Sequence, residues 1–263
     1  MSRPMRNTVH LGFLQRIRRV VVFSVSLASL LGTGSAHAEP LGPYSGRWAL
    51  LQVTTTVANV PVIGRVYATT TAVSIHSLKQ RGERLKGKGR ICKLELDSGS
   101  SFVRTILPQA LRGALPPPRV NGLLIEKDGV MTFTQARQTI VLGAKLEQLE
   151  TDPLPSVISD PRIYDQDEDG HPGVTVNVRG IVNGDIRVVQ RTWTELVAKR
   201  VTSDRIEGAL RFGNEQVVLE ATSSMLSSPP AAAPELARSR FRLVRLDASA
   251  SCSTAVAATL DPE

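Results

Sequence analysis

The sequence predicts an all-β protein, a single antiparallel barrel or sandwich of about 8–10 strands with one short helix at most. Three observations carry this. Stretches dominated by Val, Thr, Ile and Tyr recur along the chain, as in GRVYATTTAVSIHSL from Gly64 and GVTVNVRGIVNGDIRVVQRTW from Gly173. Hairpin dipeptides punctuate them, Asp128-Gly129 and Asn183-Gly184 being the clearest. Helical periodicity is scarce: TILPQALRGALPPP, from Thr105, allows a turn or so before Pro116, Pro117 and Pro118 end it.

The first 38 residues stand apart from this pattern. Arg3, Arg6, Arg16, Arg18 and Arg19 open the chain with no acid among them, and the apolar run VVVFSVSLASLLG follows from Val20. Ala36 and Ala38 then supply the small-residue pattern of a cleavage site, so residues 1–38 read as a secretory signal peptide. The apolar run is too short to span a bilayer, and no cysteine follows it to take a lipid. The mature chain is expected to start at Glu39, to be exported to the periplasm or beyond the cell, and to keep no transmembrane segment. Its charge is mild. Of 32 Lys and Arg, five lie in the signal, and the remaining 27 face 24 Asp and Glu, a net +3. That balance does not argue for a nucleic-acid partner.

The mature residues 39–263 are read as one β domain. GRWALLQVTTTV from Gly46 is the first strand and GRVYATTTAVSIHSL the second. RGERLKGKG from Arg81 reads as a basic hairpin turn with a solvated tip. In RICKLEL, Ile91, Lys93 and Glu95 alternate with Cys92, Leu94 and Leu96, as on a half-buried strand. VMTFTQA follows the Asp128-Gly129 turn, and TIVLGAKLEQL suits a strand or a short helix. TDPLPSVISDPR, over residues 151–162, carries three prolines and could divide the chain. Each half would then hold few strands, so one closed structure is expected. Gly213-Asn214 marks a further turn within DRIEGALRFGNEQVVLEATS. Residues 224–238 are a Pro/Ala/Ser-rich loop, SRFRLVRLDA is a late strand, and residues 247–263 are a flexible tail unless Cys252 ties it down. Cys92 and Cys252 are the only cysteines. In an oxidising compartment they are expected to pair, closing a loop of about 160 residues and stabilising by a few kcal/mol.

Gly46 and Trp48 in SGRWAL resemble the G-x-W that opens lipocalin-like barrels. A late arginine, Arg242 or Arg245, would complete that pattern. The resemblance implies a barrel able to hold a small apolar ligand.

The most concentrated chemistry lies in YDQDEDGHPGVTV, from Tyr164. Asp165, Asp167 and Asp169 alternate and Gly170 closes the group, so three hard oxygen donors converge as the backbone curls. The stretch resembles the calcium loops of EF-hands, dockerins and thrombospondin type 3 repeats. That resemblance implies a structural calcium ion held by Asp165, Asp167, Asp169 and the backbone carbonyl of His171. Gly173 and Val176 stand where further ligands belong in an EF-hand, so another carboxylate, Asp160 or Asp185, is required and affinity is expected on the order of 0.1–1 mM. No catalytic residue is assigned. Neighbouring aspartates on one tight turn cannot flank a scissile bond. The mature chain has only His76, expected half-buried or at the surface, and His171 as histidines. The favoured reading is an exported, non-enzymatic β-barrel protein with a calcium loop and a small apolar or amphipathic ligand. An envelope or surface interaction module is the alternative, followed by a hydrolase with a cryptic site.

Overall fold

On the first strand, β1 (Gly46–Val60), Trp48 and Leu50 are buried on one face, and Ala49, Leu51 and Val53 on the other. A strand buried on both sides needs two covers. The computed structural model, which describes residues 41–60 and 64–260, supplies a barrel lumen on one side and a helix on the other. The described residues all belong to the unit Glu39–Glu263, and the predicted signal peptide lies outside them.

The strands follow in chain order as β2 (Gly64–Arg81), β3 (Arg84–Asp97), β4 (Val103–Ile106), β5 (Arg119–Lys127), β6 (Val130–Leu142), β7 (Val174–Gly180), β8 (Gly184–Val201), β9 (Arg205–Ala221), β10 (Ala232–Pro234) and β11 (Arg240–Leu246). Two helices join them, α1 (Gln109–Ala114) and α2 (Cys252–Leu260). Strand β8 pairs antiparallel with both β6 and β9, which closes the ring β8-β6-β5-β3-β2-β1-β11-β9. Eight strands closed on themselves are the arrangement of a barrel, and closure removes the exposed edges of those strands. Outside the ring, β7 pairs with the first part of β8, β4 pairs with β7, and β10 lies on β1.

At one level of the lumen Trp48, Leu78, Leu85, Phe133, Leu196 and Phe241 meet, each fully buried and each from a different ring strand. The Phe133 and Phe241 rings lie 6.0 Å apart. The lumen is therefore filled with side chains at this level. The Trp48 indole donates to the Tyr44 carbonyl at 3.0 Å. Arg245 lies over its ring, 4.7 Å from the centroid. The same guanidinium donates to the carbonyls of Ser45, Ser203 and Pro43, tying the barrel's first and last strands together. Of the two late arginines considered, Arg245 is the one that lies against Trp48. Arg242 faces the other way and pairs with Glu207 at 3.0 Å.

The outer face of β1 and β2 is closed by α2. Ala255 packs there with Leu51, Val53, Val73 and Ile75, and each large side chain so covered is worth about 1.5–3 kcal/mol. Cys252, the first residue of α2, is bonded to Cys92 on β3. The expected tail is thus tied down, and much of it is this helix. The other predicted helical stretch is α1, only six residues long.

Three turn and loop expectations need correction or refinement. The Asp128-Gly129 turn is as read: both residues have positive φ, 52° and 75°, between the paired Lys127 and Val130. Gly213-Asn214, by contrast, is no turn. It lies in mid-strand on β9, where Gly213 stands opposite Trp193 and a Cβ would come within 2.4 Å of the indole nitrogen. The glycine makes room for a large cross-strand neighbour. The basic turn at RGERLKGKG shrinks to Gly82-Glu83, and Arg84 onward is strand β3. Within residues 224–238, Ala232–Pro234 forms β10 against β1.

His76 is also corrected. It is 1% exposed, inside the barrel opposite Trp48. Its Nε2 lies 2.8 Å from the Ser74 hydroxyl, and burial lowers its pKa to about 4. Among the described residues no helix is long and apolar enough to cross a membrane.

Candidate metal centre

The acidic stretch lies between the end of β6 and the start of β7. Two backbone bonds pin its base: Gly173 N–H donates to the Tyr164 carbonyl at 3.0 Å and Gln166 N–H to the Gly173 carbonyl at 3.1 Å. The alternation read from the sequence then sorts the side chains. Gln166 turns away from the acids. Its Oε1 accepts from Gly143 N–H at 2.8 Å and from the Tyr164 hydroxyl at 3.0 Å, and its amide donates to the Ala114 carbonyl of α1 at 3.0 Å. Asp165, Asp167 and Asp169 converge, each offering an oxygen within 4.8 Å of the others. Oxygens that share one calcium ion at about 2.4 Å are no more than about 4.8 Å apart, so the spacing suits a single cation.

The three carboxylates differ in environment. Asp165 accepts from Asp169 N–H and Gly170 N–H at 3.2 and 2.8 Å, and Asp169 accepts from His171 N–H at 2.9 Å. Both also meet solvent. Asp167 is 5% exposed. One of its oxygens accepts from Thr175 N–H on β7 at 3.0 Å; the other, Oδ1, is buried without a hydrogen-bond partner. Burial pushes its pKa up, the Thr175 bond opposes this, and the charges of Asp169 and Asp165 add to the rise. A buried carboxylate with a free oxygen between two like charges is costly unless a cation satisfies it. Thr175 Oγ1 and Arg187 Nε are likewise buried without partners, and Arg187 stands directly opposite Thr175 on β8. Unsatisfied polar atoms thus gather on one side of this loop.

The ring of His171 faces Arg187: its Nε2 lies 3.0 Å from Nη2 of Arg187, and since a guanidinium only donates, that ring nitrogen is the acceptor. Gly173, at the position where an EF-hand would place another ligand, answers a different demand. Its φ is +92°, and a Cβ would come within 2.6 Å of the Val188 carbonyl on β8. Val176, at the position of the missing bidentate acid, is buried in the apolar cluster beneath α1. The two carboxylates considered as replacements are engaged elsewhere. Asp160 is held by Arg162 at 2.7 Å, which keeps its pKa low, at about 2. Asp185 pairs with Arg179 at 2.9 Å and with Asn177 at 2.8 Å. Neither joins the cluster. Thr175 and Arg187 were not legible beside this loop, because only the fold brings Thr175 N–H to Asp167 and only the β7–β8 register sets Arg187 opposite Thr175.

A nucleophile–base pair of a hydrolase would need an acid behind its histidine and access for substrate. Ser74 and His76 are hydrogen-bonded, but His76 Nδ1 has no partner and both residues are sealed in the barrel. Comparison with protein-family models, with curated proteins and with solved structures finds no match to this chain.

Proposed function

We propose that this chain is an exported, non-enzymatic β-barrel protein that binds a small apolar or amphipathic ligand and whose acidic loop is closed by a structural calcium ion. The observation that carries the ion is Asp167, buried with an unpartnered oxygen between Asp165 and Asp169. In this reading the three carboxylates and the His171 carbonyl hold the ion, and water completes its shell. The Cys92–Cys252 bond supports export, since such a cross-link persists in an oxidising compartment. With the lumen filled around Trp48 and Phe133, surface grooves are the better place for the ligand.

Calcium titration by calorimetry and by thermal melting tests the ion. The expected result is a dissociation constant on the order of 0.1–1 mM, a higher melting temperature in calcium, and loss of both in Asp167→Ala. An unchanged melting curve in 10 mM calcium (about ten or more times that constant) would overturn it. A second reading, an envelope interaction module, is favoured by one feature. Phe102 and Ile181 are exposed side by side at the β4–β7 end, joined by an Ile181 N–H to Phe102 carbonyl bond of 2.9 Å. Pull-down from the organism's envelope, compared with that of a Phe102→Ser, Ile181→Ser variant, distinguishes the two.

A further inference from the structure

We propose that the outer face of β2, β3 and β5 is a binding groove for a single anionic amphiphile, a molecule with an acidic phosphate headgroup and acyl chains. The inference rests on the ligand-binding reading above and gives that ligand a place and a chemistry.

Strand alternation puts the cations on one face. Leu78, Leu85 and Val120 point into the core, so the residues between them on β2, β3 and β5 point outward. The register then sets like against like: Lys79 stands opposite Lys86, Arg81 opposite Arg84, and Lys88 opposite Arg119. None of these six is in an ion pair among the described residues. Like charges directly opposite on a sheet are destabilising. Outside the ring Arg104 on β4 also stands opposite Arg179 on β7, but elsewhere in the ring opposite charges face each other. On β8 and β9 Arg191 stands opposite Glu215, and on β11 and β9 Arg242 stands opposite Glu207, both as ion pairs. The unmatched face is thus a local departure that an anion would relieve.

The cations line a groove of about 1130 Å³, on the scale of sites for small ligands, which run to about 1,000 Å³. Among the described residues no Asp or Glu lines it. Its other wall carries Pro116, Pro117, Ile140, Leu146 and Leu149, with Thr139 and Lys145 among them. A purely polar anion would leave that wall wet, and a neutral lipid would leave the cations unmatched. Among the described residues no aromatic side chain lines the groove, and these residues offer no stacking platform of the kind that single-stranded nucleic acids use. An acidic headgroup on the cation rows with acyl chains along the prolines and leucines satisfies both walls.

The test is titration calorimetry of the protein with dihexanoyl phosphatidic acid below its micelle concentration. Dihexanoyl phosphatidylcholine, glycerol 3-phosphate and dextran sulfate serve as comparison probes. Phosphatidic acid is expected to bind at least tenfold more tightly than phosphatidylcholine, which has the same chains, and than glycerol phosphate, which has the charge alone. Lys86→Glu combined with Lys88→Glu is expected to lower that affinity at least tenfold, and Arg242→Ala on the matched face to change it less than twofold. Arg81→Gln with Arg84→Gln is the milder variant if the first fails to fold. Equal binding of phosphatidylcholine or glycerol phosphate, tighter binding of dextran sulfate, or no binding of phosphatidic acid overturns the proposal. Calcium-dependent melting recorded on the same samples separates failure of the groove from failure of the loop reading.

Discussion

The acidic loop and the basic face crowd charge in opposite senses, and they differ in how the crowding arises. Asp165, Asp167 and Asp169 are brought together by five residues of one loop, and burial of Asp167 makes the crowding costly. Lys79 and Lys86, Arg81 and Arg84, Lys88 and Arg119 are brought together by the register of three strands, all at exposed positions. A tight like-charge cluster with one buried member calls for a small ion that fits inside it. An exposed row of like charges can be spread over a larger anion and is softened meanwhile by solvent and salt. The same physics therefore points to a metal in one place and an amphiphile in the other.

The largest expected effect comes from the covalent tie between the basic strands and α2. Cys92 lies on β3 beyond Lys88, and its bond to Cys252 holds α2 over β1 and β2. Replacing both cysteines by serine should cost about 3–5 kcal/mol in chemical denaturation. If the two charged regions are independent, the variant's calcium response should survive while phosphatidic acid affinity changes with the altered β3. Loss of both together would show that the regions are coupled through the barrel.

Acid separates the regions next. His76 sits behind the basic strands, where a Cβ on Gly89 of β3 would touch its ring at 2.7 Å. Its folded pKa, about 4, lies below the unfolded value of 6.5. Protonation therefore favours unfolding: stability is unaffected above pH 6.5, falls as pH drops from 6.5 to about 4, and levels off below. At about 1.4 kcal/mol per pH unit the loss is about 3 kcal/mol. Asp167 runs the other way, because its raised pKa means that protonation relieves the calcium-free loop. Denaturation at stepped pH should show the fall in the native protein and not in His76→Gln. An identical profile in the two proteins would mean that His76 is not held neutral.

The fold was more legible than either site. Alternation in GRWALLQV and RFRLVRL anticipates β1 and β11, and the Asp128-Gly129 turn joins a local hairpin, whereas at Asn183-Gly184 the glycine already belongs to β8, paired with Val178, and the turn lies just before it. Gly213 was misread because a glycine dipeptide signals a turn only when nothing across the sheet needs the space; Trp193 does. His76 was misplaced because a single histidine in a strand does not reveal which face is the lumen. The three aspartates were legible since their ligand geometry is contained in one short stretch. Thr175 and Arg187, and the basic face as a whole, were not. Lys86 and Arg119 become neighbours of one groove only through pairing at long range, and a net charge of +3 averages the unmatched face with the matched one.

Calcium should produce a smaller effect than acid. For a dissociation constant of 0.1–1 mM, 10 mM ion stabilises by about 1.4–2.7 kcal/mol, or about 3–10 °C in a domain of this size. Asp167→Asn keeps an acceptor for Thr175 N–H and removes the buried charge. It should be at least as stable as the native protein in calcium-free buffer at neutral pH, and it should not respond to calcium. A variant less stable without calcium would indicate that the Asp167 charge is already satisfied within the loop, and the likeness to the basic face would fail on the acidic side.

The smallest expected effect tests the other side. Lys86 faces Lys79 across the β2–β3 pair, and among the described residues no acid forms an ion pair with either. Lys86→Gln removes one like-charge contact and should raise stability by a few tenths of a kcal/mol, read as a melting-point increase at low ionic strength. In 0.5 M salt, where screening reaches only about 4 Å, the gain should vanish. The same variant should bind phosphatidic acid more weakly, so stability and affinity move in opposite directions, as they do where a site is kept under strain for its ligand. If Lys86→Gln instead destabilises, or its effect ignores salt, the lysine acts by packing its alkyl stem and the face carries no stored repulsion. An anion would then have nothing to relieve there, whatever its affinity for the groove.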